Sequence, residues 1–297
     1  MEYQGCIDRP PEEARSLLVQ VRDGVARDGP RSLPRLSASP EMKSWAQLDI
    51  ELGRAAELGP AFSRVFLCDG DALVLTTPQL ERLLTAIRVQ LPWVAAVSMY
   101  GDALSVGDKS LEDLRRLHRL GLDVIYDGIY SGDEPTMQRL RANVTYRGCL
   151  LAADKLRDAD IAHSVMVTLG VGGRARSAIH ATETARLLTD IDPQMLATLT
   201  TTTAANQAVN DLAPPEAPLD RFELLEELHA IIDRSDFSRC AFSALHPSNH
   251  LRLRAQLPED RTSLLRILAD FIDLGDPSTL RPSTWPRSSV SDGPAWS

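Results

Sequence analysis

Cysteine is scarce and scattered in this sequence. Four occur in 297 residues, Cys6, Cys68, Cys149 and Cys240, at intervals of 62, 81 and 91 residues. No CxxC pair exists, so neither a short-range metal site nor a disulfide framework is expected. Basic residues are outnumbered, 32 Lys and Arg against 41 Asp and Glu, for a formal charge of −9. That balance argues against a protein whose task is to neutralise phosphate backbones, and no nucleic-acid partner is expected. No apolar run approaches the roughly 18 residues of a membrane span. The opening MEYQGCIDRPPEEARS lacks the basic start and apolar core of a signal peptide. The expectation is a soluble, cytoplasmic protein with a small-molecule substrate and no membrane partner. Aromatics make up only 5%, but 43% of residues are hydrophobic and 25% charged, which excludes disorder for the bulk of the chain.

Short β-branched runs alternate with longer amphipathic segments, the pattern of βα units around a parallel sheet. Six runs read as strands buried on both faces: Leu17 to Val21, Val65 to Cys68, Val94 to Tyr100, Val124 to Ile129, Ser164 to Leu169 and Leu196 to Thr201. Between them lie helix signatures. Thr77 as N-cap with Pro78 leads a stripe of Leu80, Leu83, Leu84, Ile87 and Leu91. Ser110 with Asp113, and Asp220 with Glu223, start two more helices, and Asp260 opens the last. Six units are too few to close a regular eight-stranded barrel, so an α/β partial open (βα)6 barrel is expected. The expected organisation is an N-terminal segment (1–15), the barrel (16–210), a C-terminal helical and strand extension packed on it (211–275), and a Pro- and Ser-rich tail (276–297).

Ligands in such folds sit at the carboxyl ends of the strands. The second strand ends in Cys68-Asp69-Gly70-Asp71, where the acids can meet an ammonium group; alone, this is equally well a solvated turn. The third ends Ser98-Met99-Tyr100-Gly101-Asp102, and the fourth Asp127-Gly128-Ile129-Tyr130-Ser131-Gly132-Asp133. The fifth closes on Gly170-Val171-Gly172-Gly173-Arg174, a glycine run that gives a flat ligand room on the backbone, or simply makes a turn. The sixth ends in Thr200 to Thr203, hydroxyls for a ligand or for packing. His246 and His250 flank Asn249, but Pro247 between them argues for a closing loop rather than a helical metal pair.

The order of these pieces is specific. FLCDGDALVL, VSMYGDAL, DVIYDGIYSGDEPTMQRL, VMVTLGVGGRARSAIHATETARLL, ATLTTTT and FSALHPSNHLRLRAQLPEDRTSLL together resemble the radical S-adenosylmethionine (radical SAM) superfamily, and most closely its small, Elp3-like or coproporphyrinogen-oxidase-like members. The resemblance runs over residues 16 to 273. It implies a partial (βα)6 barrel with SAM across the strand ends. It further implies Asp69, Gly70 and Asp71 near the methionine amino group, Ser98 and Tyr100 lining the pocket, Ser131 and Gly132 near the ribose, and Gly170, Gly172 and Gly173 near the adenine, with Arg174 and Thr200 completing the expected cofactor-binding set.

Two departures qualify it. The family carries CxxxCxxC after the first strand, three thiolates that hold a [4Fe–4S] cluster. Here those positions fall on Val25, Gly29 and Ser32, in a loop that carries Arg22, Arg27, Arg31 and Arg35 instead. No cluster and no metal are therefore expected, and the arginines are placed to receive the SAM carboxylate or to form a solvated face. Tyr130 stands where close relatives have Glu in GLESGD. Without a cluster, SAM is open to polar chemistry: aminocarboxypropyl or alkyl transfer, elimination or intramolecular cyclisation, as in a biosynthetic transferase or lyase. Tyr130, Tyr100 and Asp102 are the expected catalytic residues, with Tyr126 and Asp127 as further candidates. The competing expectation is an inactive barrel serving as a binding or scaffold protein.

Overall fold

The computed structural model describes residues 9–21, 42–140, 144–201 and 217–282. Among them, eight strands form one sheet: β1 (Leu17–Gln20), β2 (Arg64–Asp71), β3 (Ala96–Tyr100), β4 (Leu122–Ile129), β5 (Ala162–Leu169), β6 (Met195–Thr200), β7 (Cys240–Ser243) and β8 (Arg254–Leu257). Their spatial order follows the chain, β1 to β7 run parallel, and β8 returns antiparallel to β7. β1 and β8 do not pair, so the sheet is an open barrel. The expected six strands are present. β7 and β8 are additional, four residues each, too short to leave an apolar run in the sequence.

The helices are α1 (Trp45–Glu57), α2 (Thr77–Gln90), α3 (Ala103–Gly107), α4 (Leu111–Arg119), α5 (Glu134–Arg139), α6 (Tyr146–Asp158), α7 (Ser177–Ile191), α8 (Arg221–Arg234) and α9 (Arg261–Leu274). Capping boxes start α4 at Ser110 and α8 at Asp220, as expected from their spacing. α2 is capped by Thr76 rather than Thr77: the Thr76 side chain accepts from the Gln79 amide while Gln79 answers the Thr76 amide. Asp260 precedes α9 without capping it, because its Oδ2 accepts from the Gln256 amide instead. The chain stays tied past the expected start of the tail. Leu280 is buried, and Arg281 exchanges two hydrogen bonds with His250, at 3.0 and 2.9 Å.

Strand alternation sorts the side chains into two sets. Val65, Leu67, Val97, Met99, Ile125, Val165, Val167 and Leu196 join the helix side chains in the main core on the convex face. Phe66, Cys68, Val124 and Tyr126, with Leu18, Tyr100, Ala162, Met166 and Met195, form a separate cluster made of strand residues only, the concave face.

The amino end of the barrel is closed by a buried carboxylate. Glu13, 1% exposed, sits in the 3-10 turn Pro11–Glu13 just before β1. Its Oε1 accepts from the Ser98 hydroxyl at 2.7 Å and the Tyr126 hydroxyl at 2.8 Å, and its Oε2 accepts from Ser16. Arg64, at the start of β2, lies 3.7 Å from Oε1. A buried charge costs several kcal/mol unless it is paired and hydrogen-bonded, and here both conditions are met. Glu13→Ala would take the acceptor from the Ser16 and Tyr126 hydroxyls and leave Ser98 only the Val65 carbonyl at 3.4 Å, so a loss of about 3 kcal/mol in urea unfolding is expected. A loss under about 1 kcal/mol would remove Glu13 as the closure of the base.

Candidate functional site

The carboxyl ends of β2 to β6 bring most of the sequence-marked residues into one rim. At β2 the ladder breaks: Leu67 pairs with Met99 and the next pair is Asp71 with Tyr100, so Cys68, Asp69 and Gly70 bulge out of register with β3. Gly70 has φ +72°, a conformation that favours glycine, and the bulge turns the DGD segment over the end of the strand. The side chain of Asp69 lies outside the described set. Asp71 turns away from solvent and accepts from the Asp102 amide at 3.2 Å. Asp102 caps α3, accepting from the amides of Leu104 and Ser105 at 3.0 and 2.9 Å. The two acids thus join the turns after β2 and β3.

A second brace joins the turns after β4 and β5. Ser131 Oγ accepts from the Asp133 amide at 2.9 Å and lies in hydrogen-bond contact with His180 Nδ1 at 2.7 Å. The other ring nitrogen, Nε2, lies 3.5 Å from Glu227 Oε1. Glu227, on α8 and 2% exposed, also accepts from the Gly170 amide at 2.6 Å and from the Ser177 hydroxyl. Asp133 caps α5 and takes a bidentate pair from Arg176 at 2.7 Å on each oxygen, which holds its carboxyl below the usual range. Burial pushes His180 below the ordinary imidazole value, and the charges of Glu227 and Asp133 oppose that only in part.

The glycines of the rim are required by the chain's own packing. A Cβ on Gly132 would stand 2.2 Å from the Glu183 carbonyl oxygen, and one on Gly170 (φ +80°) would stand 2.5 Å from Thr201 Oγ1. Gly172 packs against His180, and Gly173 turns at φ +65°. Arg174 points to the exterior and pairs with Glu223 at 2.7 Å. Thr200 lies on the convex side of β6, its hydroxyl donating to Asn249 Oδ1 at 2.9 Å, while its amide donates to Ser248 Oγ. The segment from His246 to His250 thereby closes over the end of β6; burial holds His246 neutral, its pKa down to about 4.

The three residues expected to be catalytic part company. Tyr100 is half-buried on the concave face at the rim, whereas Asp102 caps α3 and Tyr130 is buried among Met137, Leu140 and Val171. Ser98 sits lower on the same face and serves Glu13. Tyr126 also serves Glu13; burial and that neighbouring carboxylate push its phenol well above the ordinary value, so it remains a donor. Asp127 projects from the convex face to His163 at 3.3 Å. The loop with Val25, Gly29, Ser32 and the four arginines, and Thr202 and Thr203, lie outside the described residues. Sequence reasoning missed Glu13, Phe66, His180 and Glu227. Phe66, Tyr100 and Tyr126 form an edge-to-face set on the concave face, with centroids 5.1, 5.9 and 6.2 Å apart.

The described residues do not fit an iron–sulfur cluster. Cys68 faces the barrel interior, Cys149 lies in α6 beyond the sheet, and Cys240 lies in β7, all buried. Burial pushes the thiol of Cys149 well up and that of Cys240 to about 12, which opposes the thiolate form a metal needs. Among the described residues no three His, Cys, Asp or Glu side chains are grouped to hold a metal.

Asp71 gives the rim a pH signature. Burial first, and the nearby charge of Asp102 second, raise its pKa from 3.8 to about 7. Between those values the folded protein keeps a proton that the unfolded chain has released, so this group's contribution to stability falls as pH rises through that window. Asp71→Asn removes the ionisation and keeps an acceptor for the Asp102 amide. Its melting temperature relative to the parent is expected to be higher at about pH 8 than at about pH 5. Parallel pH profiles for the two proteins would contradict the shifted carboxyl.

No family model and no curated protein matches the sequence. Among solved structures, the fold is similar to coproporphyrinogen III oxidase from Escherichia coli, a radical SAM enzyme, with 13% identity over 63% of this chain and 44% of that one, at a TM-score of 0.52. Methylornithine synthase matches over 86% of this chain and 81% of its own at 13% identity and a TM-score of 0.49. A radical SAM methyltransferase from Kitasatospora setae matches over 62% and 36% at 12% identity and 0.48. The fold assignment rests on the first, of which this chain spans less than half the length. With its sheet open between β1 and β8 and its motifs gathered at the carboxyl rim, the chain has the partial-barrel fold of the radical SAM superfamily.

Proposed function

We propose that this protein binds S-adenosylmethionine at the carboxyl rim of the barrel and breaks one of its carbon–sulfur bonds by polar chemistry, without an iron–sulfur cluster. The observation that carries this reading is the set of rings from Phe66, Tyr100 and Tyr126 on the concave face beneath the DGD bulge. Of the three only Tyr100 is partly exposed, with Phe66 and Tyr126 buried behind it, so its ring is the face that suits a sulfonium cation. The described thiols, Cys68, Cys149 and Cys240, are buried and dispersed and do not suit the reductive alternative.

The chemistry then needs no electron donor. A nucleophile attacks a carbon next to sulfur in line with the C–S bond, the bonding pair leaves with sulfur, and the product is a neutral thioether. The nucleophile's proton passes to a base, or to solvent when the attacking group is already ionised. Tyr100, at the rim and half-buried, is the side chain that touches the sulfonium in this reading. Asp102 and Tyr130 are positioning residues for the turns on either side. The backbone at Gly70 borders the methionine end of the ligand, and the segment between Gly170 and Gly173 borders the adenine. The braced rim favours a ligand-ready pocket over an inactive scaffold, since part-buried pairs such as Asp133 with Arg176 hold the loops in place before any ligand arrives.

Protein purified in air and titrated calorimetrically with SAM tests the reading. Binding is expected from colourless, iron-free protein, with S-adenosylhomocysteine, which lacks the positive charge, binding more weakly. Tyr100→Leu should weaken SAM about tenfold and leave S-adenosylhomocysteine nearly unchanged. On incubation, methylthioadenosine is the expected product by mass spectrometry. Stoichiometric iron with a broad visible absorbance, or no heat with SAM at millimolar concentration, would overturn the proposal.

A further inference from the structure

The concave face is filled unevenly. On β2 to β4 it carries Phe66, Tyr100 and Tyr126, whereas on β5 to β7 the inward residues include Ser164, Ala197, Ala241 and Ser243. Small side chains leave space, and a cavity of about 440 Å³ lies against this half of the barrel, within the range of small-molecule sites. Met195, Ala197 and Ala241 give it an apolar floor, and Ser164, Ser243 and Gln256 add polar groups. Two charges of opposite sign stand at its edge: Glu12, in the turn before β1, and Arg254, at the start of β8. Neither is engaged by an ion pair among the described residues. Asp260, also at the edge, already accepts from the Gln256 amide.

We infer that this cavity is a second small-molecule site, for a zwitterion of amino-acid type with an apolar side chain. Arg254 meets the carboxylate, for which a guanidinium fork is suited, Glu12 meets the ammonium, and the side chain lies along Met195 and Ala197. Ala197 is three residues before Thr200, about 10 Å along the strand from its end. A ligand here is therefore below the rim and on the same face as Tyr100. Its role as acceptor of the group taken from SAM rests on the function proposed above; its binding does not.

Ligand-observed saturation-transfer NMR on the full chain tests the site with three probes: L-norleucine, hexanoate, which lacks the ammonium, and hexylamine, which lacks the carboxylate. Norleucine is expected to bind with millimolar affinity and the other two at least tenfold more weakly. Arg254→Ala and Glu12→Gln, both at exposed positions, should each weaken norleucine about tenfold, in the range of a lost charge-assisted contact. Ala197→Leu fills the cavity and should abolish norleucine binding while SAM titration is unchanged. If Ala197→Leu does not fold by circular dichroism, the two charge variants decide. No norleucine signal, or a signal indifferent to Arg254→Ala and Glu12→Gln, overturns the inference. SAM binding without norleucine binding removes this site alone, and norleucine binding without SAM binding removes the proposed function alone.

Discussion

The carboxylate of Glu227 reaches from α8 into the space between β5 and α7 and takes the Gly170 amide, the Ser177 hydroxyl and the edge of His180. Buried acids are tolerated only when their oxygens are satisfied, and hydrogen bonds to a charged group are worth about 1.5 to 3 kcal/mol each. In meeting its own requirement, Glu227 fixes three separate elements. Through His180 the constraint passes to Ser131, and through Ser131 to the Asp133 amide, where Arg176 ties the same segment back to the start of α7. The loops after β4 and β5, independent in sequence, become one rigid edge. On the other side of the opening Asp71 and Asp102 do the same for the loops after β2 and β3. A rim braced in this way loses little entropy when a ligand settles on it.

The rest of the molecule follows from a sheet that does not close. An open barrel has a concave face that must be filled, covered or used. At its amino end Glu13 draws Ser98, Tyr126 and Ser16 inward and closes the base. Above that closure the rings of β2 to β4 fill one half, while the alanines and serines of β5 to β7 leave the other half empty. The result is an aromatic wall next to a cavity, both beneath the rim. In the function proposed above, a sulfonium at Tyr100 and an acceptor in the cavity would share this concave face, as a polar transfer requires.

Much of the fold could be read from sequence because continuous apolar runs such as Val65 to Cys68 and Val124 to Ile129 have no other home than a doubly covered parallel sheet. β7 and β8 could not, since four-residue strands with exposed Ala241 and Arg254 carry no such signal. The rim motifs were visible as glycine and acid pairs, but what they touch was not. Gly132 stands near the ribose by resemblance, yet its missing Cβ makes way for the backbone of Glu183 fifty-one residues later. Glu13 and Glu227 look like ordinary surface acids on helix-forming stretches. Their partners, Ser98 and Tyr126 for one and Gly170 and His180 for the other, are 47 to 113 residues away, and only the folded chain brings them together.

Amide hydrogen exchange with and without SAM tests the central claim most directly, because it reports where the ligand acts on the chain. Protection confined to the turns that follow β2, β3, β4 and β5, with the outer faces of α1, α2 and α4 unchanged, is the result this account predicts. Protection that falls on the outer helices, or none at the rim when SAM is saturating, would contradict it.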